Sequence, residues 1–269
     1  MRELTKPLPP STKHSLMRAI VRFFVGLSLG LAFAVLPACG ILEQDPTAKW
    51  DAERLYTEAK DEMSVGNWQH AREYLEKLEA RYPFGQYAQQ AQMEIVYTYY
   101  KEGETAQAVV AADRFLKLNP NHENADYAQY LKGLCLFAYE PGLLGSLFYQ
   151  EPSRRDPKSM REAFDVFKEL VQRWPESKYA DDARARMNFL VASLAQSEIN
   201  VARYYLKRGA YVAAISRAQG AIRDYQTTAT TKDGLEIMVA AYRGLGLNDL
   251  AADSEKVLQL NYPAAGSGK

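Results

Sequence analysis

The sequence predicts an all-α fold, a superhelical solenoid of five helical hairpins. Five related segments share a recurrent alanine. In four of them a glycine lies five residues before this alanine, and in four of them a proline lies twelve residues after the alanine. Each segment therefore predicts a helix, a tight turn, a second helix that carries the alanine, and a residue that ends it. The alanine recurs at Ala71, Ala108, Ala163, Ala214 and Ala251.

The predicted second helices are amphipathic. In the third segment Ala163, Phe164, Phe167 and Leu170 follow the three-and-four spacing of a single buried stripe. Together with the Gly, Ala and Pro columns, this pattern is typical of the tetratricopeptide repeat, a helical hairpin of about 34 residues.

Two of the five repeats are enlarged. The third contains the segment Glu140–Pro157, whose glycines and prolines exclude a continuous helix. The fourth contains Ser177–Gly209, which has no internal glycine or proline and predicts one helix of roughly 30 residues.

Residues 1–38 predict a bacterial lipoprotein signal peptide, with either Met1 or Met17 as the start. A basic segment precedes an uncharged apolar run that is too short to span a bilayer. Leu36, Ala38 and Cys39 resemble the lipoprotein box, which would leave Cys39 as an acylated first residue, followed by a linker to residue 48. The alternative is a plain signal peptide with an unrelated cysteine. The residue after the cysteine is Gly40 and not the aspartate associated with inner-membrane retention. This favours the periplasmic face of the outer membrane as the location of the anchored protein.

Charge and residue types exclude several functions. Without the five basic residues and one acid of the leader, the net charge is −4, which argues against nucleic acid as a partner. His70 and His122 are too isolated for a metal site, and Cys135 lies in an apolar helix as a small hydrophobe. No nucleophile, phosphate-loop or dinucleotide motif is present, so the sequence predicts no enzyme activity and no cofactor.

The first three prolines begin related linkers, PFGQYAQQA, PNHENADYA and PESKYADDA. These linkers resemble those of the BamD (ComL) family of outer-membrane assembly lipoproteins. The resemblance also includes the lipoprotein box, the RRDP turn and the segment VARYYLKRGAYVAAISRAQGAIRDY, and it extends from about Lys49 to Pro263. The resemblance implies a non-enzymatic subunit of the machinery that folds β-barrel proteins into the outer membrane. Its implied partners are the barrel subunit BamA, accessory lipoproteins such as BamC, and the C-terminal signals of unfolded outer-membrane proteins. A tetratricopeptide lipoprotein that scaffolds cell-wall synthesis or polysaccharide export is the alternative.

A substrate groove is predicted in residues 49–140, where the first helices of the repeats line the concave face. Tyr97 and Tyr100 share one helix face, whereas Tyr99 points the other way and, with Val96, takes a core position in the repeat register. Aromatic side chains with one basic group suit an extended peptide that ends in an aromatic residue and a carboxylate. The alternative is that these tyrosines cover seams between repeats. The predicted groove residues are Tyr56, Lys60, Met63, Tyr97, Tyr100 and Tyr130.

Residues 141–263 are predicted to bind partner proteins, and residues 264–269 to form a disordered tail. The family resemblance implies that Arg217 and Arg223 contact BamA, and a guanidinium group suits a partner carboxylate. Arg223 could equally be an ordinary positive charge at a helix C-terminus.

Overall fold

The computed structural model describes residues 45–137, 156–226 and 228–263. The chain divides into two compact units, residues 1–50 and 51–269. In the first, residues 45–50 form a turn in which the Asp45 carboxylate accepts hydrogen bonds from the Thr47 amide and hydroxyl groups, at 3.0 and 2.8 Å. Predictions about the signal peptide, Cys39, the tail and all but the last two residues of the insertion Glu140–Pro157 lie outside the described residues.

Ten α-helices form five antiparallel hairpins in the described part of the second unit, which confirms the predicted all-α solenoid. The helices are α1 Ala52–Ser64, α2 Trp68–Arg81, α3 Gln86–Glu102, α4 Thr105–Leu118, α5 Ala125–Phe137, α6 Pro157–Arg173, α7 Ala180–Lys207, α8 Tyr211–Asp224, α9 Thr230–Gly244 and α10 Asn248–Asn261.

The glycine and alanine columns have distinct structural roles. The glycines follow the first helices with φ between 72° and 79°, a left-handed conformation that other residues rarely adopt. The five alanines are 0–2 % exposed because they lie where the two helices of each hairpin meet. These glycines are Gly66, Gly103, Gly209 and Gly246.

All five second helices end two residues before the proline column. Their capping residues have φ near −130° and donate the backbone N–H to the carbonyl four residues earlier. A following proline favours this conformation because it excludes helical geometry from the preceding residue. Tyr225 adopts it before Gln226, so the ending in the fourth hairpin does not require proline.

The core is a series of local clusters. Each helix packs on the next, and first helices of neighbouring hairpins also pack in the pairs α1–α3, α3–α5 and α7–α9. As predicted, α7 is one helix of 28 residues, and it contributes to two successive clusters. Cys135 is buried, which raises the pKa of its thiol to about 11 and disfavours the reactive thiolate.

Gly133 permits a close contact between α5 and α6. A Cβ atom at this position would lie 2.5 Å from Cε1 of Phe167, whose side chain is fully buried. The aromatic ring is rigid and cannot give way within a packed interior. Gly220, inside α8, has no heavy atom within 4 Å of the corresponding Cβ position.

Substituting Gly133→Ala should therefore lower the free energy of unfolding by about 2 kcal/mol because it overpacks the α5–α6 contact. The matched change Gly220→Ala should raise it by up to about 1 kcal/mol because alanine is the better helix former. Urea unfolding followed by circular dichroism measures both values. Equal effects of the two substitutions would contradict the assigned α5–α6 packing.

Candidate functional site

The predicted groove residues lie on the first helices of three successive hairpins. Tyr56 and Lys60 are on α1, Tyr97 and Tyr100 on α3, and Tyr130 on α5. All five side chains are half-buried or exposed, so each presents some surface to solvent. Together with Tyr127 of α5 and Tyr179, which precedes α7, they are called the tyrosine face below.

Met63 does not belong to this surface. It is 8 % exposed because it continues the core row formed by Leu55 and Ala59 at intervals of four residues. The prediction that Met63 lines the groove is therefore wrong. Val96 is fully buried as predicted, but Tyr99 is only partly buried, and the guanidinium of Arg72 lies 4.3 Å from its ring centre.

Lys60 is already paired with a carboxylate at the α1–α3 seam. Its ammonium donates a hydrogen bond of 2.7 Å to Oε1 of Glu94, which the sequence analysis missed. Burial opposes the charged form of Lys60, but the hydrogen bond and charge of Glu94 outweigh it and raise the lysine pKa. Burial and the same carboxylate raise the pKa of Tyr56, whose ring packs 5.7 Å from that of Tyr87.

Tyr97 and Tyr100 pack over the core cluster shared by α3, α4 and α5. The ring of Tyr97 meets Trp68 of α2 edge-on at 5.8 Å, and the ammonium of Lys101 lies 5.3 Å from the Trp68 ring centre. An edge-on contact between aromatic rings is favourable and fixes their orientation. Trp68 therefore supports Tyr97 from the second helix of the preceding hairpin.

Three stacked tyrosines continue the surface toward α7. Tyr179 lies between Tyr127 and Tyr130, with ring centres 5.2 and 4.6 Å away. Burial raises the pKa of Tyr127, with smaller electrostatic effects from Tyr179, Tyr97 and further groups. Tyr97, Tyr100 and Tyr127 all pack against the core cluster of α3, α4 and α5, so the stack adjoins the tyrosines of α3.

The hydroxyl of Tyr130 donates a hydrogen bond of 2.7 Å to Asp182 on α7. Burial, together with the hydrogen bond and charge of Asp182, raises the pKa of Tyr130 to about 12. Burial opposes ionisation of Asp182, but hydrogen bonds from Arg186, at 2.5 Å, and from Tyr130 lower its pKa overall. This network connects the third hairpin to the fourth.

The predicted partner residues lie in a separate group of charges on α6, α7 and α8. Glu198 accepts a hydrogen bond of 3.0 Å from Arg217 and lies 3.8 Å from Arg161. Arg223 forms a two-pronged ion pair with the adjacent Asp224, at 2.8 and 3.3 Å, and Arg161 also influences Asp224 electrostatically. These three arginines and two carboxylates, the arginine cluster, have a net charge of +1.

No helix between residues 45 and 263, apart from the undescribed segments, is long and apolar enough to cross a bilayer. In the same part of the chain, no three histidine, cysteine or acidic side chains are grouped as metal ligands.

The family model for an outer membrane lipoprotein, YfiO, matches residues 48–258, which include all five hairpins except the last turn. The outer membrane protein assembly factor BamD of Neisseria meningitidis serogroup A is 46 % identical and aligns with 90 % of this chain and 91 % of its own length. The chain belongs to the BamD family.

Relatives from other bacteria extend this similarity. The BamD proteins of Neisseria gonorrhoeae and Vibrio cholerae are 45 % and 37 % identical to this chain. The alignments cover 90 % and 87 % of it, and 91 % and 95 % of the respective relatives. The resemblance to the BamD family inferred from the linker and repeat motifs is confirmed.

The Tyr130 network can be tested through Asp182. The pKa of Asp182 is lower in the folded state than in the unfolded state. The ionised carboxylate therefore stabilises the fold at pH values above the unfolded-state pKa, and this stabilisation is lost as the pH falls through the folded-state pKa. Tyr130→Phe removes one hydrogen bond to the carboxylate but keeps the stacked ring. It should raise the Asp182 pKa part of the way toward its usual value of about 4 and reduce the loss of stability below about pH 5.

Carboxyl NMR titration and urea unfolding measure these two effects. Tyr127→Phe is the matched control because its ring stacks on the same Tyr179. An Asp182 pKa equal in the wild type and in Tyr130→Phe would contradict the role assigned to the hydroxyl.

Proposed function

We propose that this chain is a scaffold subunit of the machinery that assembles β-barrel proteins in the outer membrane, attached there through an acylated Cys39. Membership of the BamD family carries the proposal, because the relatives are named outer membrane protein assembly factors. The chain contributes binding surfaces rather than covalent chemistry. Its finer roles are receptor for the C-terminal signals of unfolded outer-membrane proteins and ligand of a BamA-type barrel subunit and accessory lipoproteins.

The tyrosine face supports the receptor role. Exposed edges of Tyr97 and Tyr100 offer broad apolar contact for an aromatic side chain at low entropic cost, since each tyrosine has few rotatable bonds. The ammonium of Lys60 has three donors, and within the described residues one of them is used, in the hydrogen bond to Glu94. A terminal carboxylate of the peptide can therefore bind beside Glu94. The negative charge of Glu94 weakens this attraction, which suits a substrate that must be passed on.

The arginine cluster supports the partner role. Arg161 and Arg217 are each more than half exposed and share the single carboxylate of Glu198. A carboxylate from a partner protein would complete the charge balance and can bind a guanidinium group in a two-pronged manner. Arg223 has its own partner in Asp224 and contributes less.

Replacing Tyr97 and Tyr100 together by alanine should weaken binding of a peptide that carries an outer-membrane C-terminal signal about tenfold, because two aromatic contacts are lost. Fluorescence anisotropy with a labelled peptide measures the affinity. The double phenylalanine variant should bind nearly as well as the wild type because it keeps both rings.

Two controls separate this effect from damage to the fold. Helix content by circular dichroism should be unchanged in both double variants. Tyr204→Ala removes an exposed tyrosine from α7, outside the tyrosine face, and should not alter the affinity. An unaltered affinity in the double alanine variant would overturn the proposed receptor site.

The change Arg217→Glu should reduce copurification of the BamA-type barrel subunit about tenfold, since it reverses a charge and repels Glu198. Arg243→Glu is the matched control, because Arg243 is similarly exposed and paired with Glu255 outside the arginine cluster. Quantitative mass spectrometry of detergent-solubilised complexes gives the yield. If the barrel subunit copurified equally with both variants, the arginine cluster would not be its binding site.

A further inference from the structure

The loop Tyr82–Gly85, between α2 and α3, carries the most exposed large apolar side chain of the described residues. The side chain of Phe84 is 90 % exposed. Gly85 follows with φ of 96°, a conformation that other residues rarely adopt, and it directs the chain into α3 directly behind the phenylalanine. Phe84 therefore lies at the tip of a sharply turned loop.

The repeat architecture does not require this aromatic residue. In the related linkers of the next two hairpins, Asn121 and Glu176 take the position of Phe84, and both linkers contain charged residues. By contrast, no charged residue lies between Arg81 and Glu94. The first linker alone of the three combines an exposed aromatic side chain with an uncharged stretch of sequence.

The same loop lies next to the point where the chain enters the solenoid. In an antiparallel hairpin the end of α2 lies beside the start of α1, and the contact of Tyr56 with Tyr87 brings the first turns of α3 to the same place. Asp51 caps α1 there by accepting a hydrogen bond of 2.9 Å from the Arg54 amide.

Chain length links this end of the solenoid to the membrane. Cys39 precedes Asp51 by 12 residues, and an extended chain of that length spans at most about 40 Å. The inference rests on the proposed acylation of Cys39, which would hold the start of α1 within that distance of the lipid surface. Uncharged loops with aromatic side chains are favoured at the boundary between lipid headgroups and acyl chains.

We propose that the loop Tyr82–Gly85 is a membrane contact, with Phe84 inserted into the headgroup region of the membrane that holds the lipid anchor. Tyr82, which is 37 % exposed, flanks the tip and adds amphipathic aromatic surface beside it. This second attachment point orients the solenoid and holds the α1 end of the tyrosine face near the lipid surface. The charged linkers of the following hairpins are unsuited to the same contact.

The test uses the full acylated protein reconstituted in phosphatidylethanolamine and phosphatidylglycerol vesicles, with or without brominated acyl chains. An environment-sensitive fluorophore is attached to Gln86→Cys, so that Phe84 stays intact, and the buried Cys135 leaves this thiol as the labelling site. One matched variant adds Phe84→Ser, and another carries the fluorophore at Asn121→Cys. Mass spectrometry of the N-terminal peptide establishes whether Cys39 is acylated.

With Phe84 present, brominated lipid should quench the fluorophore at position 86 about twofold or more, because insertion brings it to the acyl-chain boundary. Phe84→Ser should abolish that quenching, and position 121 should show none. Equal quenching at positions 86 and 121, or no loss with Phe84→Ser, would overturn the membrane contact.

Two other outcomes identify which proposal fails. If Cys39 is acylated but position 86 is not quenched, the anchor stands and the membrane contact is wrong. Protection of position 86 by an added barrel subunit would then show that the loop binds protein. If Cys39 is not acylated, both the proposed anchor and the inference that rests on it are overturned.

Discussion

The fold depends on the close approach of two helices at one small side chain in every hairpin. The five alanines at this contact are almost completely buried. A larger side chain would separate the two helices, and because each hairpin packs mainly on its neighbours, the displacement would pass along the solenoid. The turn is less constrained, since the third hairpin has Lys158 in the glycine column yet buries Ala163 completely. The alanine contact, rather than the turn, is common to all five hairpins.

The features that the sequence predicted correctly are those set by local geometry. A left-handed turn requires glycine at Gly66 and Gly103, and a buried helix crossing requires a small residue, so both appear as columns in the repeat. The absence of glycine and proline from residue 177 to 208 likewise predicted α7 as one helix. Cys135 on an apolar helix was expected in the core, where it lies.

The pairings within the candidate sites could not be predicted in this way, because they join different hairpins. Lys60 and Glu94 are 34 residues apart, and Tyr130 and Asp182 are 52 residues apart. Whether such side chains meet depends on the rotation between adjacent hairpins and on rotamers, which helical periodicity does not encode. Tyr179 was missed because it precedes α7, and Met63 was misplaced because it lies at the boundary between the exposed row and the core row.

The tyrosine face is compatible with both alternatives that the sequence left open. Its rings cover seams between hairpins and still leave edges in solvent, so the contacts available to a peptide depend on how neighbouring hairpins are packed. The long helix α7 connects this surface to the arginine cluster, since it carries Asp182 near one end and Glu198 about 24 Å farther along its axis. A rigid-body shift of α7 that separated Asp182 from Tyr130 would also move Glu198 relative to Arg161 and Arg217. Any such shift would therefore displace both candidate surfaces together.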